Sequence, residues 1–204
     1  MKISGWGRFP QIEANCSSPA NIGSWIESLH RYPSLIARGL GRSYGDSAIA
    51  SVVLQTDYLD HYIQFDSAEG TLQCEAGLSL HEILNCIIPK GWFLPVTPGS
   101  AYVTMGGAVA SDVHGKNHHI SGTFGEHVLS IDLLLASGEI LQISKTQHPE
   151  LFHATCGGMG LTGVILAVKL KLKPIQSSFI DQTTIKVKNL EDILHQFDIH
   201  QGFT

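Results

Sequence analysis

A chain of 204 residues with 43% hydrophobic side chains can bury a core and is too apolar to be disordered or fibrous. It has no run of ~18 apolar residues, so no transmembrane helix is expected, and its N-terminus MKISGWGRFPQIEANC lacks the apolar stretch of a signal peptide. A net charge of −5 disfavours nucleic acid as a partner, since a basic stripe is its usual footprint; a polyanion would need local donors.

The segment SSPANIGSWIESLHRYP (17–33) predicts a helix. Ser18 is the expected cap and Pro19 the first helical residue, with an apolar stripe of Ile22, Trp25, Ile26 and Leu29. SLIARG (34–39) predicts a short buried strand, and SVVLQT, YIQFD and AEGTLQCEAG predict further strands and a turn. SLHEILNCIIPKG (79–91) reads as a helix capped by Ser79 and ended by Pro89. VLSIDLLLASGEILQIS (128–144) predicts a hairpin turning at Ser137 and Gly138. HPELFHATCG predicts a short helix, and LTGVILAVKLKLKP a strand whose end alternates apolar residues with lysines. SFIDQTTIKVKNLEDILHQFDIHQGFT (178–204) opens a new strand and an amphipathic helix. With no finishing element in view, the chain is expected to be the N-terminal part of a longer protein. The fold class is α+β.

Cys16, Cys74, Cys86 and Cys156 form no C-x-x-C pair, as expected of four reduced thiols in a cytosolic-type chain. Cys156 stands beside a glycine run; as a small buried hydrophobe it needs no further role.

Glycines number 21 and cluster at 37–46, 98–117 and 156–164. The third cluster satisfies G-x-G-x-x-G between Gly158 and Gly163. A dinucleotide fingerprint must follow a strand and open a helix; here a helix precedes and a strand follows, which excludes that reading. ARGLGRSYGD (37–46) instead follows an apolar strand. Its consecutive N–H groups can form an anion-binding nest or a plain tight turn, with the Ser43 hydroxyl and the charges of Arg38 and Arg42 close by. PGSAYVTMGGAVASDVHG (98–115) offers a second bend at Thr104 to Gly107 and a stretch small enough to press on a flat ligand. Two such surfaces suit a long ligand with a central diphosphate.

SDVHGKNHH (111–119) carries three histidines in nine positions. A metal is not expected at His114, His118 and His119: Gly115 and Asn117 weaken any helix, no cysteine is near, and Asp112 is the sole carboxylate. An imidazole base is chemically open at neutral pH. His118 and His119 are expected to be hydrogen-bonded structural residues.

The runs ARGLGRSYGD, PGSAYVTMGGAVASDVHGKNHH and CGGMGLTG, with GWGR (5–8) and FGEHVLSIDLL (124–134), resemble the FAD-binding domain of the vanillyl-alcohol oxidase / p-cresol methylhydroxylase (PCMH) superfamily. Within it they resemble the decaprenylphosphoryl-ribose 2′-oxidases, flavin subunits of an arabinose epimerase. The resemblance implies a PCMH-type domain over residues 1–174, two α+β subdomains sandwiching FAD, and the start of a substrate domain at 175–204. It implies that Arg38, Gly39, Leu40, Gly41, Arg42, Ser43, Tyr44, Gly45 and Asp46 wrap the diphosphate, opposite Gly99, Thr104, Met105, Gly106 and Gly107. Ser111, Asp112, Val113 and His114 would run along the flavin, Ile165 would touch the cofactor through its backbone, and Lys116 would lie on the substrate side, where a cation favours the reduced anionic flavin.

Many superfamily oxidases carry G-H-S in the first nest, with the histidine bound covalently to flavin. Here the run is Gly41-Arg42-Ser43, so non-covalent FAD is expected. The implied function is FAD-dependent oxidation of a sugar secondary alcohol, the 2′-hydroxyl of a polyprenylphosphoryl ribose, with the catalytic base in the second domain and a separate reductase completing the epimerase. A cytoplasmic placement is expected, and a polyprenyl substrate would bring the whole enzyme to a membrane. A sugar-alcohol or lactone oxidase and a non-catalytic flavin-binding module are the alternatives.

Overall fold

The computed structural model describes residues 1–200. β1 (Lys2–Ser4) and β2 (Gln11–Glu13) pair as an antiparallel ribbon. β3 (Asn15–Ser17) leads to helix α1 (Ile22–Arg31), then to β4 (Ile36–Arg38) and β5 (Val52–Gln55). These three strands form a parallel sheet with β5 in the centre, and Val53 and Leu54 on β5 are wholly buried, as the middle of a parallel sheet must be.

The second unit begins with β6 (Tyr62–Asp66), β7 (Thr71–Glu75), α2 (Leu80–Ile87) and β8 (Trp92–Phe93). It continues through α3 (Met105–Ala110), α4 (His118–Ser121), β9 (Val128–Leu134), β10 (Ile140–Ile143) and α5 (Pro149–Thr155). β11 (Val164–Lys171) and β12 (Lys173–Pro174) complete it. Five strands make an antiparallel sheet in the order β10-β9-β11-β7-β6. β9 and β10 are the predicted hairpin, with Gly138 at φ +88° in its turn. The helices α2, α3 and α5 cover one face, joining Leu80, Ile83, Met105, Val109 and Phe152 to Leu72, Ile131 and Leu170 in the main core. At the other seam Trp25 of α1 packs with Leu54, Leu134, Val164 and Leu166, tying the parallel unit to the antiparallel sheet. The fold is α+β with two subdomains.

Two expectations are corrected. α1 is capped by Asn21, not Ser18: Asn21 Oδ1 accepts from Ser24 N at 3.0 Å, and Ser24 answers with a reciprocal bond. The Ser18 hydroxyl donates instead to Asp57 Oδ2 at 2.7 Å, so Pro19 lies ahead of the helix. The strand expected after residue 178 does not form. That stretch is exposed with no ladder to join before helix α6 (Leu190–Ile199), and residues 201–204 lie outside the described part. Among the described residues, no helix is long and apolar enough to cross a membrane.

Ser79 caps α2 as expected, in a capping box with Glu82. The Ser79 hydroxyl and then its backbone N–H hold the Glu82 carboxyl below the usual carboxylate range. A depressed folded pKa adds stability above the unfolded pKa that is lost as pH falls through the folded one; Glu82 is exposed, so solvent screening keeps this small. Ser79→Ala is expected to cost about 1 kcal/mol at neutral pH, and Glu82→Gln to flatten the acid limb of the stability curve. Urea unfolding across pH 3–7 (roughly the carboxylate range) checks both; an acid limb unchanged in Glu82→Gln would refute the assignment.

Candidate functional site

Between the parallel unit and the antiparallel sheet lies a cavity of about 610 Å³, within the ~300–1,000 Å³ range of small-molecule and cofactor sites. Of the positions expected to hold a cofactor, Arg38, Gly39, Leu40, Gly41, Arg42, Ser43, Tyr44, Gly99, Thr104, Gly106, Gly107, Ser111, Val113, His114 and Ile165 all line it. Segments separated by more than a hundred residues therefore meet at one place.

Four other positions do not line it, and each has a local reason. Met105 is fully buried in the main core. Gly45 turns at φ +59° beneath Gly5, and Asp46 accepts from Ile49 N to close the next turn. Asp112 has its carboxylate bonded to Gly125 N at 2.7 Å. Lys116 is exposed and also outside the lining.

The first nest follows from its backbone. Among the described residues, no N–H of residues 39–45 donates to a protein acceptor, so consecutive donors stay available to a ligand. Gly39 packs so closely that a Cβ there would overlap the Thr104 side chain, which presses the nest onto the start of α3. Arg38 has a structural duty. Its guanidinium donates to Ala48 O at 2.9 Å and Ser4 O at 2.7 Å, directly under Gly41. Burial lowers the Arg38 pKa from its ordinary value, yet a guanidinium keeps its proton in any protein. Arg42 lies over the Trp6 ring at 5.4 Å. The lining thus includes two arginines and no carboxylate, a local positive field in an acidic chain.

The second bend behaves differently. Met105 N donates to Leu78 O and Gly106 N to Ala76 O, each at 2.8 Å, and Gly107 N to Thr104 Oγ1 at 3.1 Å. The first-turn amides of α3 are thereby satisfied by the protein. What 104–107 presents to the cavity is small surface, with Gly106 pressed on Ala76, rather than free anion donors.

Sequence reasoning missed Trp6, Thr56, Ala76, Ser100, Val103 and Met159 in the walls. It also set aside Gly160 and Gly163 as a failed dinucleotide motif, yet both line the cavity. The available signal was the glycine cluster itself in a loop that leads into a strand, which marks turns and close backbone approach; in the structure the two glycines adopt φ +78° and +152°. Beside them β11 slips register against β9 between Ile165 and Ala167, next to the lining residue Ile165.

His114 is exposed at the cavity wall. His118 and His119, expected to be hydrogen-bonded, are exposed and meet edge to face, with ring centroids 6.0 Å apart. The described group with metal-compatible spacing is elsewhere, at Asp60, His61 and Glu75. There His61 Nδ1 lies 2.8 Å from the Glu75 carboxylate, a bond that raises the imidazole pKa. Burial pushes the Cys156 thiol up to about 11, so it is a neutral packing group rather than a nucleophile.

Residues 9–144 match the family model described as FAD binding domain. The chain is 37% identical over 186 residues to decaprenylphosphoryl-β-D-ribose oxidase of Mycolicibacterium smegmatis, covering 87% of this chain and 40% of that one. It is 29% identical over 209 residues to bovine L-gulonolactone oxidase, covering 98% of this chain and 46% of the relative. It is 26% identical over 166 residues to D-lactate dehydrogenase of Archaeoglobus fulgidus, covering 78% and 37%. The chain spans less than half the length of each of these relatives.

Proposed function

The chain belongs to the FAD binding domain family, of PCMH type, and on that premise we propose that it is the flavin-holding part of an oxidoreductase that oxidises a sugar secondary alcohol, the 2′-hydroxyl of a polyprenylphosphoryl ribose. The observation that carries the reading is the cavity, with unpartnered amides over 39–45 on one wall and glycine-rich backbone at 99, 106, 107, 160 and 163 on the others. FAD fits this donor set. The residue 39–45 amides and Arg42 offer hydrogen bonds and charge to a diphosphate, and Gly99, Gly106 and Gly107 leave room for flat surface. Ser111, Val113 and His114 supply the wall that a flavin ring would lie against, and Ile165 lines the same cavity.

Bound FAD supplies a two-electron acceptor for hydride from the carbinol carbon. The chain's own part is to hold and orient. His114 is the described imidazole at the cavity wall, and Lys116, two residues on, is a solvent-exposed cation outside that lining, which this reading assigns to the substrate side. Residues 1–174 form the flavin domain, and 175–204 open a substrate domain. Consistent with that division, α6 has no buried residue. A ketone left at C2′ calls for a separate reductase to set the inverted configuration.

Similarity to the protein named decaprenylphosphoryl-β-D-ribose oxidase supports the ribose substrate over the aldonolactone suggested by the gulonolactone oxidase. Arg42, standing where many lactone and alditol oxidases carry the flavin-linked histidine, supports it further and makes the flavin non-covalent. Acid precipitation of the flavin-loaded protein is expected to leave all yellow colour in the supernatant; flavin retained in the pellet would contradict non-covalent binding. In the whole enzyme, a polyprenylphosphoryl ribose should bleach flavin absorbance without oxygen. An aldonolactone that bleaches it faster would favour the lactone-oxidase reading.

A further inference from the structure

Asp112 stands in the middle of the segment that walls the cavity, yet it does not face the cavity. Its neighbours Ser111, Val113 and His114 do. Asp112 adopts φ +40°, a left-handed conformation that costs most residues energy and that Asp and Asn tolerate best. That twist turns its carboxylate to the opposite side, where Oδ1 accepts from Gly125 N at 2.7 Å. The partner position is shaped for the bond: a Cβ on Gly125 would lie 3.0 Å from Asp112 Oδ1 and 3.1 Å from Cys156 Sγ.

Three segments converge on this point through four backbone contacts. Phe124 N donates to Val113 O at 2.9 Å, and Thr123 bridges to His114. Gly157 N donates to Val109 O at 3.0 Å and Met159 N to Ala110 O at 2.8 Å. The end of α3, the turn at Phe124–His127 and the 157–163 loop are therefore locked together around one left-handed residue. His114 is exposed, with the bridge to Thr123 and an edge contact to the His118 ring. A side chain so placed depends on its backbone for its direction.

We propose that Asp112 is a positioning residue: its carboxylate, turned away from the cavity onto the Gly125 N–H, holds residues 111–114 in the one backbone course that aims Val113 and His114 at the site. This rests on the flavin reading of the site for its consequence in binding, but not for the brace itself. The bond gives the N–H of buried Gly125 its acceptor at 2.7 Å, and a buried donor left unpaired costs about 1–3 kcal/mol. Asn keeps both the acceptor and the tolerance of positive φ. Gly keeps the tolerance alone, and Ala keeps neither.

Two measurements on the full chain test it. In the ligand-free protein, amide hydrogen exchange over 111–127 should accelerate at least tenfold in D112G and D112A and stay within about threefold of wild type in D112N. In FAD titrations followed by flavin fluorescence, D112G and D112A should bind about tenfold or more weakly, with D112N near wild type. Exchange in D112G and D112A equal to that of wild type would overturn the brace whether or not FAD binds. Exchange in D112N as fast as in D112A would overturn the acceptor role. Wild-type protein that ignores FAD would contradict the flavin reading while the exchange data still decide the brace.

Discussion

Gly41→Val is expected to weaken FAD binding about 100-fold or more without unfolding the chain. Gly41 sits at φ +67°, where a β-branched side chain is strained by roughly 1–2 kcal/mol. The added Cβ would also overlap the Arg38 guanidinium. That group cannot step aside cheaply, because it is bonded to Ala48 O and Ser4 O and its departure would leave two carbonyls unpaired at ~1–3 kcal/mol each. Either Arg38 or the nest must move, and a displaced nest no longer converges its amides on one anion. The lower end of that sum, about 3 kcal/mol, is already a factor of about 100. Flavin fluorescence titration measures the loss, and far-ultraviolet circular dichroism checks the fold. Wild-type affinity in Gly41→Val would exclude residues 39–45 as the diphosphate cradle.

The second large effect is on stability. Trp25→Ala is expected to lower the free energy of unfolding by about 3–5 kcal/mol. Trp25 has 0% exposure and fills the seam between β5 of the parallel sheet and β9 and β11 of the antiparallel one. Loss of the ring empties the contact that fixes one subdomain against the other. Its Nε1 is buried without a hydrogen-bond partner among the described residues, a burden of ~1–3 kcal/mol. Trp25→Phe, which removes that N–H and keeps an aromatic ring, should therefore cost well under half as much as Trp25→Ala. Urea unfolding distinguishes the two; equal losses would show that the N–H is not a burden.

How much of this could be read beforehand depends on range. Elements set by local pattern were legible: the Ser79 cap, the hairpin turn at Gly138, and the alternation of Val168, Leu170 and Leu172 with lysines. The exclusion of a dinucleotide fold at 158–163 was legible too, because helix-before and strand-after are local signals. What failed was decided by distant partners. Ser18 and Asn21 are both good caps, and Asp57 takes Ser18 out of the choice. Thr104 to Gly107 looks like an anion bend until Ala76 and Leu78, far away in sequence, accept its amides. Asp112 reads as a cofactor contact in a run of such contacts, and a positive φ turns it outward. The stretch from 178 has strand-forming residues but no ladder to join, and β propensity without a partner makes no strand. The cavity wall came from a family resemblance for most of its residues; Trp6, Ala76 and Met159 reach it through topology alone.

Residues 39–45 and the glycine walls opposite are proposed to hold FAD without a covalent link. Equilibrium titration of the purified chain with FAD, followed by flavin fluorescence and then acid precipitation, tests it most directly. The expected result is saturable one-to-one binding, reduced in Gly41→Val, with all flavin freed by acid. A chain whose presence leaves flavin fluorescence unchanged at every concentration, in wild type and variant alike, would contradict it.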